Sequence, residues 1–328
     1  MKKLFVVLLS VLMALTMAGC SSGSGSDEPA KEPAQEETKV IRIGVSQLVQ
    51  HAALDAATQG FIDEVKKAFP DADITVSNAS GDAANCSTIA QGFVNDGVDL
   101  IMANATPALQ AAVSATGDIP ILGTSVTEYG VALGIDGFNG LVGSNVSGTS
   151  DLAPLDQQAQ MILDLFPETK TVGIIYCSNE ANSKYQVEVV SKTLNEKGIE
   201  VKEASFTDSN DIAMVCEDLC DQVDVIYIPT DNQAASCAET IANVVLAKKV
   251  PVIAGEEGIC SLCGIATLTI DYYQLGVTTG QMAVRILNGE TKIEEMPIQY
   301  FENPVKKYNT EICDMFGVTV PEDFEPIE

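Results

Sequence analysis

Two stretches of the sequence end in side chains that could hold a small polar molecule. VDLIMANATP runs from Val98 to Pro107 and VDVIYIPTDN from Val223 to Asn232. In each, an apolar run breaks off at residues that hydrogen-bond. Thr106 reads as a helix N-cap with Pro107 at the first helical position, a place where backbone N–H groups attract anions. Asp231 reads both as the cap of a helix from about Gln233 and as a carboxylate for a cation. Asn232 can bond either charge. Comparable positions supply Ser46, Thr124 and Ser125 as hydroxyl donors, and Asn182 and Ser183 at the helix start in SNEANS. Further carboxylates stand at strand ends or crossings: Asp151, Glu256 beside Glu257 in GEEG, and Asp271 in TIDYY. Unpaired carboxylates in a closed site are costly, so some of these must be capped, paired or solvated.

Bond-making chemistry has less support. The chain holds one histidine, His51. It could in principle join a Ser or Cys and an acid in a hydrolytic triad, but no GxSxG elbow accompanies it. No GxGxxG or P-loop follows a strand, so nucleotide chemistry lacks its phosphate cradle. No HExxH or paired Cys/His cluster supports a metal, and no cofactor is implied. Cys260 and Cys263 form CSLC. One CxxC with no second pair and no nearby His is a weak zinc signal. A thiol redox protein using this pair is the strongest enzymatic alternative, although no thioredoxin-like pattern surrounds it. The residues favour a binding protein over an enzyme.

The 328 residues carry a formal charge of −28, with 46 acidic against 18 basic side chains. That balance argues against nucleic acid as a partner, since phosphate binding needs clustered Lys and Arg. It suits a highly soluble monomer. Residues 1–20 read as a signal rather than fold: Lys2 and Lys3, an apolar run too short to span a bilayer comfortably, then TMAGC ending at Cys20. Small residues before a Cys resemble a bacterial lipobox, with Met17 where Leu is usual; Cys20 would then carry the lipid. Residues 21–39, rich in Gly, Ser, Pro and Glu, cannot bury apolar surface and read as a flexible tether. The pattern implies a lipid-anchored, extracytoplasmic domain, because a diacyl Cys supplies the two chains that stable anchoring needs. The eight remaining cysteines are unevenly spaced in a chain large enough not to need staples. They read as small buried apolar residues.

The elements that must place these side chains are written twice. VIRIGVSQLVQHAALDAATQGFIDEVKKA, from Val40, parallels TVGIIYCSNEANSKYQVEVVSKTLNEKG, from Thr171. Each is a short apolar strand, a polar turn and an amphipathic helix. ADITVSNASGDAANCSTIAQGF parallels IEVKEASFTDSNDIAMVCEDL, and IPILGTSVTEYG parallels VPVIAGEEG. The copies lie about 130 residues apart, longer than solenoid periods, which marks duplicated domains. Strand–helix alternation with continuous apolar strands predicts an α/β fold: two doubly wound parallel-sheet lobes joined by a hinge. Ligands in such sheets sit beyond the carboxyl ends of the strands, where the polar clusters fall. The first crossing between lobes is expected in SGTSDLAP (Ser147 to Pro154), and a helix from about Asp271 to Leu287 should stop at Gly289.

QHAALDAATQGF, ATPALQAA, TSVTEYG, GTSDL, NEANS, PTDN, GEEG and IDYYQLG together resemble the ABC-transporter substrate-binding lipoproteins of the tryptophan/tyrosine type, which have the type I periplasmic-binding fold. The resemblance covers about Val40 to Pro297. It departs at Glu128-Tyr129, where the family commonly has Asp-Pro. It implies that residues 40–150 with about 270–292 form one lobe, and 151–269 with about 293–328 the other. It implies capture of a small solute, often an aromatic amino acid (tryptophan, tyrosine or phenylalanine), and delivery to an ABC permease and its ATPase. An α-amino acid would place its carboxylate on the Thr106 helix start and the hydroxyls of Ser46, Thr124 or Ser125. Asn182 and Ser183 would donate from the second lobe. Its ammonium would take a carboxylate, with Asp231 the foremost candidate beside Asp151, Glu256 and Asp271. His51 would stack on a ring or pair with a carboxylate, and Leu54 and Tyr129 would line the side-chain pocket. The same fold binding a sugar or nucleoside, or acting as a membrane-tethered sensor, stays open. The absence of Trp counts against a sugar, which usually stacks on aromatics.

Overall fold

A computed structural model describes residues 40–327. The signal-like segment, Cys20 and the tether lie outside the described residues. The first half runs β1 (Arg42–Gln47), α1 (Ala52–Ala68), β2 (Asp73–Asn78), α2 (Ala83–Asp96), β3 (Leu100–Asn104), α3 (Thr106–Ala115), β4 (Ile121–Val126), α4 (Tyr129–Leu133) and β5 (Val146–Ser150). The second runs α5 (Leu155–Leu165), β6 (Thr171–Cys177), α6 (Ala181–Glu196), β7 (Glu200–Phe206), α7 (Ile212–Cys220), β8 (Val225–Ile228), α8 (Asn232–Ser236), α9 (Ala238–Lys248), β9 (Val252–Ala254), α10 (Glu257–Cys263) and β10 (Ala266–Thr269). Then follow α11 (Tyr272–Leu287), β11 (Gln299–Tyr300), β12 (Val305–Tyr308), α12 (Thr310–Phe316) and β13 (Glu325–Pro326).

The two halves build two sheets with one wiring. The first has the order β2-β1-β3-β4-β5, extended by β11, and every pairing is parallel. The second repeats it as β7-β6-β8-β9-β10, then adds β12 antiparallel to β10 and β13 beyond it. Residue type explains the order. LIMAN of β3 and VIYI of β8 are buried along their whole length, as helix-covered central strands require. DITVSN of β2 is mostly exposed and sits at an edge. In each sheet the order reverses beside the first strand, between β1 and β3 and between β6 and β8. There, neighbouring loops part and leave a crevice at the strand ends.

The chain crosses between lobes three times: after β5, between β10 and α11, and between β11 and β12. The last crossing corrects an expectation. Residues 293–300 do not pass to the second lobe. Ile293 and Met296 are buried in the first-lobe core with Val45, Phe61 and Met102, and Ile298 is buried on its opposite side. Ser147 Oγ donates to the Met296 carbonyl at 2.8 Å, and Gln299 and Tyr300 pair with Thr149 and Ser150. Apolar residues that read as a tail are burying surface, and the return begins only after Tyr300. A second correction concerns Thr106. The cap of α3 is Ala105, at φ 92° and ψ 156°, and Thr106 is already helical. All eight described cysteines are free, and all but Cys237 are buried.

Helix α11 returns from the second lobe to lie against α1. Their backbones approach so closely that a Cβ on Gly276 would fall 2.0 Å from the Ala57 carbonyl oxygen, and one on Gly60 would fall 2.1 Å from that of Tyr273. Helix propensity favours Ala over Gly by about 1 kcal/mol, whereas overpacking a tight contact costs about 1–3 kcal/mol. Packing therefore wins, and Gly276→Ala is expected to lower the thermal midpoint. A melt followed by circular dichroism checks this; an unchanged or raised midpoint would show that the two helices are not in such close contact.

Candidate functional site

The crevices of the two lobes face each other, and the predicted side chains lie along both. On the first lobe, Ser46 closes β1, His51 caps α1, Asn104 ends β3, Thr106 opens α3, Ser125 ends β4 and Asp151 follows β5. These atoms share an unusual property. Ser46 Oγ, His51 Nδ1, Asn104 Oδ1, Thr106 Oγ1, Ser125 Oγ and Asp151 Oδ1 are buried without a hydrogen-bond partner in the protein, as are Asn182 Oδ1 and, within β10, Thr267 Oγ1 on the second lobe. Buried polar atoms are nearly always paired, so a group of unpaired ones at the carboxyl ends of neighbouring strands marks where a polar ligand fits. The backbone agrees. Ala105 and Ser125 are non-glycine residues at φ 92° and 53°, and such strain gathers at ligand sites.

Other predicted residues are committed elsewhere. Thr124 Oγ1 bonds Thr149 and Thr279 inside the first lobe. Tyr129 is buried in that lobe's core against Phe138, its hydroxyl donating to the Thr149 carbonyl at 3.1 Å, so it does not line a side-chain pocket between the lobes. Room for it comes from Gly123 and Gly148, where a Cβ would meet the tyrosine oxygen at 2.4 Å. Leu54 packs in the same core, and its carbonyl accepts from Asn104 Nδ2. Asp271 is an exposed cap of α11, bonded by Gln274 N–H.

The carboxylates sort by how many of their oxygens are occupied. Asp231 accepts from the Cys177 and Ala234 N–H groups at 2.7 and 2.8 Å, with Ser183 also bonded to it. Both oxygens are used inside the second lobe, so Asp231 pins β6 to α8 and is not free for an ammonium. Glu256 likewise caps α10 through Gly258 and Ile259 N–H. Asp151 differs. Its Oδ2 accepts from Tyr272 at 3.0 Å, across the hinge strands, while Oδ1 is unpartnered. Burial pushes Asp151 up to about 6 and Glu256 to about 7.

Glu180 escaped the sequence reading. It is 2% exposed and accepts from the backbone N–H of Asn232 and Gln233 and from the side chains of Asn182 and Asn232. It thus caps α8 from a different loop. Burial first, and the neighbouring Asp231 second, push its carboxyl upward. A signal was present: a Glu just ahead of a helix, in a stretch already marked as polar. The loop it holds carries two direct bonds between the lobes. Asn232 Oδ1 lies 3.3 Å from His51 Nε2, and Gln233 Nε2 donates to the Gly81 carbonyl at 2.9 Å. Gly81, at φ +80°, has no Cβ to obstruct Gln233. Beside this contact a cavity of ≈ 600 Å³ is lined from both lobes, by Pro107 and Gly81 and by Glu180 and Asn179.

The CSLC pair lies on α10 with both thiols buried. Burial raises Cys263 to about 12 and Cys260 well above the usual thiol range. A reactive thiolate at neutral pH is therefore disfavoured at either position. Among the described residues, no group of His, Cys, Asp and Glu is placed to hold a metal, and no helix is long and apolar enough to cross a membrane.

Two facing lobes, a hinge and unpartnered polar groups at the strand ends define a solute-binding protein. Residues 42–325 match the family of ABC transporter substrate binding proteins, and the chain belongs to that family. It is 38% identical over 267 residues to the tyrosine-binding protein of Clostridioides difficile strain R20291, covering 80% of this chain and 77% of that one. Its fold matches an ABC domain from Streptococcus pneumoniae in complex with L-Trp, with a TM-score of 0.82 at 32% identity over 87% of this chain and 97% of that one. The ligand-free, open structure of a substrate binding protein with adhesive properties from Clostridium difficile gives a TM-score of 0.67 at 37% identity, over 88% and 99%. The more identical relative is the less similar in shape. That relative is described as open, whereas here Asn232 and Gln233 bond the first lobe across the cleft.

The buried carboxylates make stability depend on pH. Asp151 and Glu256 have folded values raised above 3.8 and 4.5, so the folded state holds more protons than the unfolded one from about pH 4 to 7. Stability conferred by their neutral forms is present below that window and lost as pH rises through it. His51, lowered to about 4 by burial, works in the opposite sense below pH 6.5. It is one group against two, with Glu180 and Asp231 shifted in the carboxylates' direction. The ligand-free protein is expected to melt at a higher temperature at pH 5 than at pH 7.5. A midpoint that rises over this range would contradict the assignment of these groups as buried and unpaired by cations.

Proposed function

We propose that the cleft binds one α-amino acid with an aromatic side chain, and that the lobes close on it for delivery to a membrane permease and its ATPase. The observation that carries this reading is the placement of unpartnered atoms of opposite kind on adjacent strands. Thr106 and Ser125 hydroxyls stand at the ends of β3 and β4, and Asp151 Oδ1 at the end of β5. Neighbouring strands are about 4.8 Å apart, a spacing suited to the carboxylate and ammonium of one amino acid. The hydroxyls and the N-terminal N–H groups of α3 take the carboxylate; Asp151 takes the ammonium. The aromatic side chain is supported by the two relatives, one named for tyrosine and one in complex with L-Trp.

Asp151 also links binding to closure. It lies in the first crossing between lobes and accepts from Tyr272 in the second. An ammonium on Oδ1 would therefore order the hinge as well as fill the site. The closed form, stabilised by contacts in both lobes, is what a permease would recognise. Cys20 would carry the lipid that keeps the protein at the outer face of the membrane. Mass spectrometry of the protein released from membranes tests this by the mass at its mature N-terminus.

Asp151→Asn keeps the size and the Tyr272 contact but removes the charge. Leaving one partner of a buried charge pair alone costs about 2–5 kcal/mol, so affinity for L-tyrosine or L-tryptophan is expected to fall roughly 30-fold or more. Calorimetry measures it, and equal affinity in the variant removes Asp151 from the site. In the wild type, affinity should also weaken as pH drops below about 6, where Asp151 takes up a proton.

A further inference from the structure

The structure assigns His51 a second task within the proposed site: its Nδ1 accepts a hydrogen bond from a donor on the ligand's side chain, so the protein selects aromatic amino acids bearing an O–H or N–H. This rests on the amino acid reading above. The tautomer follows from a chain of bonds on the far side of the ring. Asn232 Nδ2 donates to Glu180 Oε2, which also receives the Asn232 backbone N–H and Asn182 Nδ2. Backbone N–H groups, which cannot flip, fix both Glu180 oxygens as acceptors, Asn232 N–H on Oε2 at 3.3 Å and Gln233 N–H on Oε1 at 2.9 Å, so the Asn232 amide is oriented with its nitrogen toward Glu180 and its oxygen toward His51. That oxygen, 3.3 Å from His51 Nε2, can only accept. Nε2 therefore carries the hydrogen, and Nδ1 keeps a lone pair. Nδ1 is buried and has no partner. The ring stays neutral near pH 7, because burial holds His51 at about 4.

Position decides which end of the ligand it meets. His51 follows β1 and Asp151 follows β5, and the order β1-β3-β4-β5 separates those strand ends by three spacings, about 14 Å. One ammonium cannot serve both. With the head group on β3, β4 and β5, the side chain points toward β1, where Ser46 Oγ is unpartnered as well. A phenol O–H or indole N–H reaching that end finds an acceptor; phenylalanine leaves Nδ1 buried and unbonded, which a site of this kind penalises.

The chain's single histidine makes the test direct. In ¹⁵N-labelled protein, long-range ¹H–¹⁵N spectra of the imidazole should show the Nε2–H tautomer in the closed complexes, with Nδ1 shifted in the L-tyrosine complex relative to the L-phenylalanine complex. Calorimetry should show tyrosine bound at least tenfold more tightly than phenylalanine. In His51→Phe the loss of the Asn232 contact weakens both, but the ratio should collapse toward one. An Nδ1–H tautomer, or a tyrosine-to-phenylalanine ratio unchanged in His51→Phe, overturns the assignment while leaving amino acid binding in place. Failure of the wild type to bind tyrosine, tryptophan or phenylalanine overturns both.

Discussion

Closing two lobes on each other removes water from the polar ends of strands, and each group there must regain a partner or pay for its burial. This constraint orders the structure. Asp231 and Glu256 regain partners from the N–H groups of short helices, and Glu180 from a helix start on a neighbouring loop. Glu256 holds α10, while Asp231 and Glu180 hold α8, whose first two side chains make direct bonds across the cleft. The carboxylates that look most like ligand groups thus build the wall, and the atoms left without partners mark the space the wall encloses.

The hinge obeys the same rule. Its first two crossings meet in one hydrogen bond, Tyr272 to Asp151, and the carboxylate concerned is the one with an oxygen to spare. Behind it, α1 and α11 are locked through glycines, so the helix that leaves the second lobe is rigidly part of the first. The lobes are joined by short segments between well-packed bodies, the arrangement that a hinge closure uses.

Much of this was legible before any coordinates. Apolar runs of strand length ending in polar residues, repeated in the same succession, specify parallel sheets because a strand buried on both faces needs helices on both. The polar clusters had to fall at the carboxyl ends, and Ser46, Thr106, Ser125, Asp151 and Asn182 are all found there with unpartnered atoms. His51 and Asn232 were each visible as candidates. That they touch was not, since 181 positions separate them and the contact exists only between lobes. The tail was misjudged for a related reason: Ile293, Met296 and Ile298 are too few and too spaced to show a periodicity, yet each finds a place in the first-lobe core.

The sequence by itself determined the fold class, the duplication and the end of each sheet at which binding occurs, because these follow from local patterns of burial and from the geometry of a parallel strand. Only the tertiary structure decided which polar residues are occupied. Asp231 and Asp151 are the same chemical group, each just beyond the carboxyl end of a parallel strand, and nothing local says which is occupied. One is saturated by two backbone N–H groups brought to it from β6 and α8, and the other is met by the hydroxyls of Tyr272 and Thr127 and keeps one oxygen without a partner. Hydrogen-bond capacity is a sum over neighbours in space, and that sum is fixed only when the lobes are folded and closed.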